Sequence, residues 1–204
     1  MPTLYVENVP KDLYEALRAR LAGREPPADA SIGNPRGDWG PGGATLLAQA
    51  SSLIERYELA GADRAKPTPG ALELLEVLAA RGATVVIVTS NSSRTVVRWF
   101  DRQRAAGLIQ AIVGRDTLLP LKPSPATVTR ALEQIGTAPA DTVFVGDSEA
   151  DWGAARAAGV GFYGVAATAA RRDRLITAGA TEVFASPAAL RIYLNFGAPR
   201  NNRS

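Results

Sequence analysis

The chain of 204 residues is long enough for one large or two small folded domains with a substantial core. It contains no cysteine and no histidine, which excludes disulfide frameworks, thiolate or histidine-ligated zinc sites, and catalysis by Ser-His or Cys-His pairs. Its net charge of +3 permits an anionic ligand without requiring one. The amino terminus lacks the pattern of a signal peptide and no run is long enough to span a membrane, so we expect a cytoplasmic protein.

The secondary-structure elements predicted before residue 70 follow no regular order, whereas helices and strands alternate after it. They are a strand at 3–9, an amphipathic helix at 11–22, a loop rich in Gly and Pro at 23–43, a helix at 44–60 and a breaker at 64–69. From Gly70 onward they are helix 70–81, strand 83–88, helix 93–105, strand 110–113, helix 124–136, strand 142–146, helix 149–158, strand 161–165, helix 168–178, strand 181–184 and helix 187–194. Repeated βα units of this length predict an α/β fold, a Rossmann-like parallel sheet with helices on both faces.

The most informative segment is TVFVGDSEADWGAARAAGV, residues 142–160. An apolar run ending in Gly146 and Asp147 is typical of a buried parallel strand that delivers an acid to its carboxyl end, where open α/β sheets place their sites. Asp151, four residues on, would begin the next helix on the same side. Two converging carboxylates repel unless a cation lies between them, and oxygen-only ligation suits Mg²⁺. The alternative is a solvated turn in which an acid caps the helix.

A second cluster follows the strand that ends at Val88. Thr89, Ser90 and Asn91, followed by two more serines, lie between this strand and a helix. Hydroxyls and backbone N–H groups in that position are suited to holding phosphate oxygens. The alternative is ordinary capping of the helix by Ser or Asn.

Lys122 is the third candidate. It lies in LPLKPSP, where Pro120, Pro123 and Pro125 stiffen the chain before a helix. An ammonium group held there would neutralise phosphate charge or pair with the acidic site. The alternative is an ordinary surface lysine.

Taken in this order, VVIVTSNSS (85–93), LKPSP (121–125) and VFVGDSEADWGAARAAGV (143–160) resemble the second, third and fourth motifs of the haloacid dehalogenase superfamily of hydrolases. The stretch PTPGALELLEVLAARGATVVIVT also resembles the phosphoglycolate-phosphatase-like and beta-phosphoglucomutase-like members. The resemblance implies a Mg²⁺-dependent phosphoester hydrolase acting on a small phosphorylated metabolite. By position it implies phosphate binding by Thr89, with Ser90 and Asn91 beside it, and by Lys122, and Mg²⁺ binding by Asp147 and Asp151.

The family's first motif is missing. That motif is Asp-x-Asp after an early strand, and supplies the nucleophile and the general acid/base, whereas no Asp-x-Asp occurs in this sequence. The early strand TLYVENV places Glu7 and Val9 at the two positions, and Asp38 is the other nearby acid, with no strand before it. Glu7 is therefore the candidate for the nucleophile's position. We expect the domains to be a strand-helix segment at 1–22, a loop with a reduced helical cap at 23–66, the α/β core at 67–195 and a disordered basic tail at 196–204.

The first 20 residues have a competing resemblance, to the start of VapB-type ribbon-helix-helix antitoxins, which dimerise through a strand and read DNA. Two classes of function therefore stay open. One is a phosphatase-type hydrolase impaired by the missing aspartate. The other is a non-catalytic pseudoenzyme domain that binds a phosphorylated ligand, a partner chain or DNA.

Overall fold

The computed structural model describes residues 43–117, 119–120 and 122–196 of the chain. In chain order the α-helices are α1 Gly43–Arg64, α2 Ala71–Ala80, α3 Ser93–Arg102, α4 Ala126–Ile135, α5 Glu149–Ala157, α6 Ala169–Ala178 and α7 Pro187–Phe196. The strands are β1 Val86–Val88, β2 Ala111–Val113, β3 Val143–Gly146, β4 Gly161–Val165 and β5 Val183–Phe184. Short 3₁₀ turns lie at Ala106–Leu108, Arg115–Thr117 and Pro139–Asp141.

The predictions for residues 1–42, which include Glu7 and Asp38, lie outside the described residues, as do those for residues 197–204. The domain boundaries stay predictions.

Every strand pairing is parallel, which confirms the predicted α/β class. Strand β1 pairs with β2, and β4 lies between β3 and β5. Among the described residues these strands form two hydrogen-bonded groups, β1–β2 and β3–β4–β5, where one sheet was predicted. No strand of the described part of the chain joins β1 to β3.

Local hydrogen bonding explains where the elements differ from prediction. Strand β1 begins at Val86 instead of residue 83, because Ala83 N donates to Leu78 O and Val85 N donates to the side chain of Gln110, both outside the strand pairing. Helix α3 ends at Arg102 instead of residue 105, because Arg104 adopts a φ of 55°, in the left-handed region that ends helices. Helix α1 continues to Arg64, four residues beyond the predicted end.

Two apolar clusters form the core. One surrounds β1 and contains, among others, Ala62, Leu75, Ile87, Val96, Trp99 and Phe100. The other lies around β4 and contains, among others, Val128, Ala154, Ala155, Phe162 and Leu175. The carboxyl ends of β1 and β3 therefore belong to two halves of the fold, one around each cluster. The halves share α4, which packs against β1 and β2 and contributes Val128 to the second cluster. The segment carrying Lys122 lies between β2 and α4.

Within the described residues, no helix has both the length and the apolar character that crossing a membrane requires.

Candidate functional site

Lys122 connects the two halves at the carboxyl ends of their strands. Its Nζ lies 2.5 Å from Asp151 Oδ1 and 3.5 Å from the carbonyl oxygen of Val88, the last residue of β1. The same Nζ lies 5.6 Å from the centre of the Phe144 ring in β3. The side chains of Lys122 and Asp151 are 14% and 7% exposed, so the ion pair is largely shielded from water. The ammonium group is thereby held beside Thr89, the residue that follows β1.

Asp151 is the most constrained acid of the predicted site. Its Oδ2 accepts hydrogen bonds from Asp147 N at 3.2 Å, Ser148 N at 3.2 Å and Ser148 Oγ at 2.8 Å. Ser148 Oγ also accepts from Asp151 N at 3.2 Å, which completes a reciprocal cap at the start of α5. The capping alternative is therefore realised, and the same carboxylate fixes Lys122. Both of its oxygens have donors.

Gly146 ends β3 and leaves the space that Asp151 occupies. A Cβ at Gly146 would lie 2.5 Å from Asp151 Cβ and 2.9 Å from its Oδ2. We expect Gly146→Ala to lower the free energy of unfolding by about 1–3 kcal/mol, because Asp151 must move within a packed cap. Urea denaturation measures this. Gly61→Ala is the control, since nothing lies within 4 Å of a Cβ there and alanine suits a helix; equal stability of the two variants would contradict the prediction.

Asp147 presents the more accessible carboxylate of the pair. Its Oδ2 lies 3.2 Å from Arg171 Nη1, which comes from the first turn of α6. The side chains of Asp147 and Arg171 are 19% and 37% exposed. An acid and two cations, Lys122 and Arg171, therefore lie around the ends of β1 and β3.

The carboxylates at these strand ends are the residues that would hold the Mg²⁺ that the resemblance implies. In the part of the chain that the structure describes, no group of three His, Cys, Asp or Glu side chains could hold a metal. Because Asp151 is committed to its cap and to Lys122, Asp147 is the carboxylate suited to ligation. Mg²⁺ usually takes one or two carboxylates together with waters and substrate phosphate oxygens. The residues fit the ion on those terms, and ligation by Asp151 stays a prediction.

Arg171 competes with any cation for Asp147. We expect Arg171→Ala to raise the affinity for Mg²⁺ about two- to fivefold, the range that a partly exposed ion pair allows. Titration calorimetry with MgCl₂ in the presence of inorganic phosphate measures it. Arg174→Ala is the matched control, because Arg174 lies on the same helix and pairs with Glu149 at 3.6 Å. Unchanged or weaker Mg²⁺ binding in Arg171→Ala would refute the competition.

The loop after β1 holds Thr89, Ser90 and Asn91, and its N–H groups are mostly occupied by the protein. Thr89 N donates to Val113 O at 3.0 Å, and Asn91 N donates to Thr89 Oγ1 at 3.1 Å. Asn91 is buried at 8% exposure, whereas Ser90 is exposed. Since Thr89 Oγ1 accepts from Asn91, its hydroxyl proton is left to donate elsewhere. A role of Asn91 in phosphate binding stays a prediction.

The start of α3 carries the capping that the alternative reading described. Ser92 Oγ accepts from Thr95 N at 3.2 Å. Carboxylates from elsewhere in the fold take the next two N–H groups: Glu58 Oε2 accepts from Ser92 N, and Asp116 Oδ1 accepts from Ser93 N. The helix N-terminus is therefore already neutralised, and the groups suited to an external phosphate are Thr89, Ser90 and Lys122.

Four residues at this site were not predicted from the sequence: Glu58, Arg115, Asp116 and Arg171. Arg171 lies in the segment 171–174, which holds three arginines, and their number alone does not single out a site residue. Arg115 and Asp116 directly follow a predicted strand, and that position was the available signal. No sequence signal distinguished Glu58, because it lies within an ordinary charged helix.

Comparison with known proteins identifies a matching family and relatives of this chain. Residues 43–165, more than half of the chain, match the model of the haloacid dehalogenase-like hydrolases. A phosphoglycolate phosphatase of Rhodospirillum rubrum is 35% identical over 135 residues, which cover 66% of this chain and 56% of that protein. A phosphoglycolate phosphatase of Pseudomonas putida is 34% identical over 97 residues, 48% of this chain and 36% of that protein. The chain thus spans about a third to just over half of the length of these relatives.

The fold has solved counterparts. A hydrolase from Pseudomonas syringae superposes with a TM-score of 0.59 at 26% identity, covering 77% of this chain and 73% of that one. A hydrolase of the same family from Deinococcus radiodurans, crystallised with bound phosphate and sodium, superposes with a TM-score of 0.58 at 24% identity, covering 76% and 67%. The second likeness shows the fold alone.

Proposed function

Because this chain belongs to the haloacid dehalogenase-like hydrolase family, we propose that it binds the phosphate group of a small phosphorylated metabolite at the carboxyl ends of β1 and β3. The observation that carries the proposal is the position of Lys122. Its ammonium group lies between Val88 O and Asp151, at the end of the strand that Thr89 and the exposed Ser90 follow. A fixed cation with hydroxyl and N–H donors beside it suits a phosphate dianion.

Each residue has a defined task in this proposal. Lys122 neutralises phosphate charge, and Thr89 and Ser90 donate hydrogen bonds to its oxygens. Asp151 holds Lys122 in place, because its two oxygens are shared between that ammonium group and the cap of α5. Asp147 would hold Mg²⁺, which when bound supplies further positive charge beside the phosphate.

Hydrolysis is the impaired part of the proposed activity. The sequence contains no Asp-x-Asp, so the covalent route through an aspartyl-phosphate lacks its nucleophile. Glu7 is the proposed substitute, and its extra methylene would displace the attacking oxygen from the geometry that near-attack requires. We therefore propose a phosphatase-type binding site with low turnover.

The substrate class rests on the relatives. Two proteins named phosphoglycolate phosphatase are 34–35% identical to this chain over the matched residues, which makes phosphoglycolate the first substrate to test. The alternative is a non-catalytic domain without turnover that binds a phosphorylated ligand, a partner chain or DNA. The DNA-binding role that the resemblance of the first 20 residues implies lies outside the described residues and stays a prediction.

Binding of inorganic phosphate in MgCl₂, measured by titration calorimetry, tests the proposal. We expect saturable binding to the wild-type chain and a loss of about tenfold in affinity for Thr89→Val. This change keeps the side chain's size but removes the hydroxyl that would donate to phosphate and that accepts from Asn91 N. Thr177→Val, at an exposed position near the end of α6, is the matched control. Absence of binding to the wild type, or equal affinity of Thr89→Val and Thr177→Val, would overturn it.

A further inference from the structure

We propose that Glu58 and Arg115 are positioning residues that hold the β1–α3 loop, residues 89–92, in its phosphate-binding conformation. The inference rests on the proposed function and assigns to helix α1 a part in it. Both side chains are buried, at 4% and 9% exposure, and neither belongs to the predicted motifs.

Glu58 reaches the loop from α1. Its Oε2 accepts hydrogen bonds from Ser92 N at 3.0 Å and from Thr95 Oγ1 at 3.3 Å. The same carboxylate pairs with Arg115, whose Nη1 lies 2.5 Å from Oε1 and whose Nη2 lies 3.4 Å from Oε2. Glu58 thus fixes the end of the loop and the first turn of α3 together.

Arg115 reaches the loop from the turn after β2. Its Nη1 donates to Ser90 O at 3.3 Å, and its backbone N–H donates to Asn91 O at 2.8 Å. These bonds set the peptide planes that follow Ser90 and Asn91. With the carbonyls of both residues held, the freedom of Thr89 and Ser90 to turn away from Lys122 is reduced.

The contacts of the Glu58–Arg115 pair indicate that it positions the loop and does not merely attach α1 to α3. Exposed pairs already join α1 to α3, namely Glu55 with Arg94 at 3.2 Å and Asp63 with Arg98 at 2.7 Å. The guanidinium of Arg98 holds the pKa of Asp63 below its usual value through their hydrogen bond. A buried pair adds little net stability compared with apolar side chains of similar size. Glu58 and Arg115 differ from the exposed pairs in contacting the loop.

The consequence is pre-organisation. A loop that is already fixed loses less conformational freedom when phosphate binds, and a shift of about an ångström in donor position weakens such a site strongly. Loss of the pair should therefore weaken phosphate binding more than it lowers stability.

The test uses Glu58→Leu/Arg115→Met, which removes both charges and leaves no buried charge unpaired. We expect its dissociation constant for inorganic phosphate in MgCl₂ to rise about tenfold or more, while its melting temperature stays within a few degrees of wild type. Glu58→Gln/Arg115→Gln, whose amides can hydrogen-bond to each other and to the loop, should recover part of the affinity. The matched control, Glu55→Gln/Arg94→Gln, should bind phosphate as the wild type does.

A second variant tests the inference if the first variant does not fold. Thr95→Val keeps both charges and removes the hydroxyl that donates to Glu58, and we expect a loss of about threefold in phosphate affinity. Wild-type affinity in the Leu/Met variant, or in Thr95→Val should the former not fold, overturns the inference and leaves the proposed function intact. Failure of the wild type to bind phosphate would instead refute the proposed function.

Discussion

The purified chain should hydrolyse phosphoglycolate and p-nitrophenyl phosphate about a million-fold more slowly than an intact enzyme, the order of loss when a central nucleophile is removed from residues that act as a unit. In the proposed site the remaining groups would hold and neutralise phosphate, so only slow attack by water would be left. Release of inorganic phosphate in MgCl₂ measures the rate, and Asp147→Asn provides the background from contaminating phosphatases.

Two variants identify any residual nucleophile. If Glu7 substitutes for the aspartate, Glu7→Gln abolishes the residual rate and Asp38→Asn leaves it unchanged. Turnover near one per second that persists in Glu7→Gln would show that the nucleophile lies elsewhere and that the site is not impaired.

Lys122→Met should produce the largest loss of stability at the site. It leaves the Asp151 carboxylate, 7% exposed, without its cation, and breaking a buried ion pair from one side costs about 3–5 kcal/mol. We expect the lower end of that range in urea denaturation, because Asp151 Oδ2 keeps its three donors. Phosphate binding should be lost as well.

Two controls for Lys122→Met separate the effect of the lost charge from the effect of changed packing. Lys66→Met, at an exposed lysine, should leave stability and phosphate binding unchanged. Asp151→Asn in the Lys122→Met background should recover part of the stability, because the buried charge is removed while one oxygen still accepts. A Lys122→Met variant within about 1 kcal/mol of wild type would mean that the pair behaves as a surface salt bridge.

The spacing of apolar residues predicted the helices and strands, because it reflects which residues of each element are buried. Strand β4 was predicted with its observed bounds, Gly161–Val165, since it alternates buried and partly buried residues between two neighbours. Strand β1 was predicted too long, because the N–H of Val85 donates to the Gln110 side chain and that of Ala83 to Leu78 O. A side chain that replaces a strand partner leaves no periodic trace.

The positions of Thr89 and Asp147 after two strands were predicted, whereas the ion pairs around them were not; their functional roles stay predictions. The apolar runs before Thr89 and Asp147 place both at strand ends, and the structure brings Lys122 to the same edge. The pairing of Lys122 with Asp151, and of Glu58 with Arg115, joins residues 29 and 57 positions apart. Local patterns carry no information on such contacts, so the groups that hold the loop could be found only from the folded chain.

The most direct test of the phosphate-binding site is a crystal structure grown with tungstate, a heavy phosphate analogue, and MgCl₂. The proposal predicts an anion within hydrogen-bond distance of Thr89 Oγ1, Ser90 N and Lys122 Nζ at the carboxyl end of β1. An anion bound elsewhere, with these three groups bare at a saturating tungstate concentration, would contradict it.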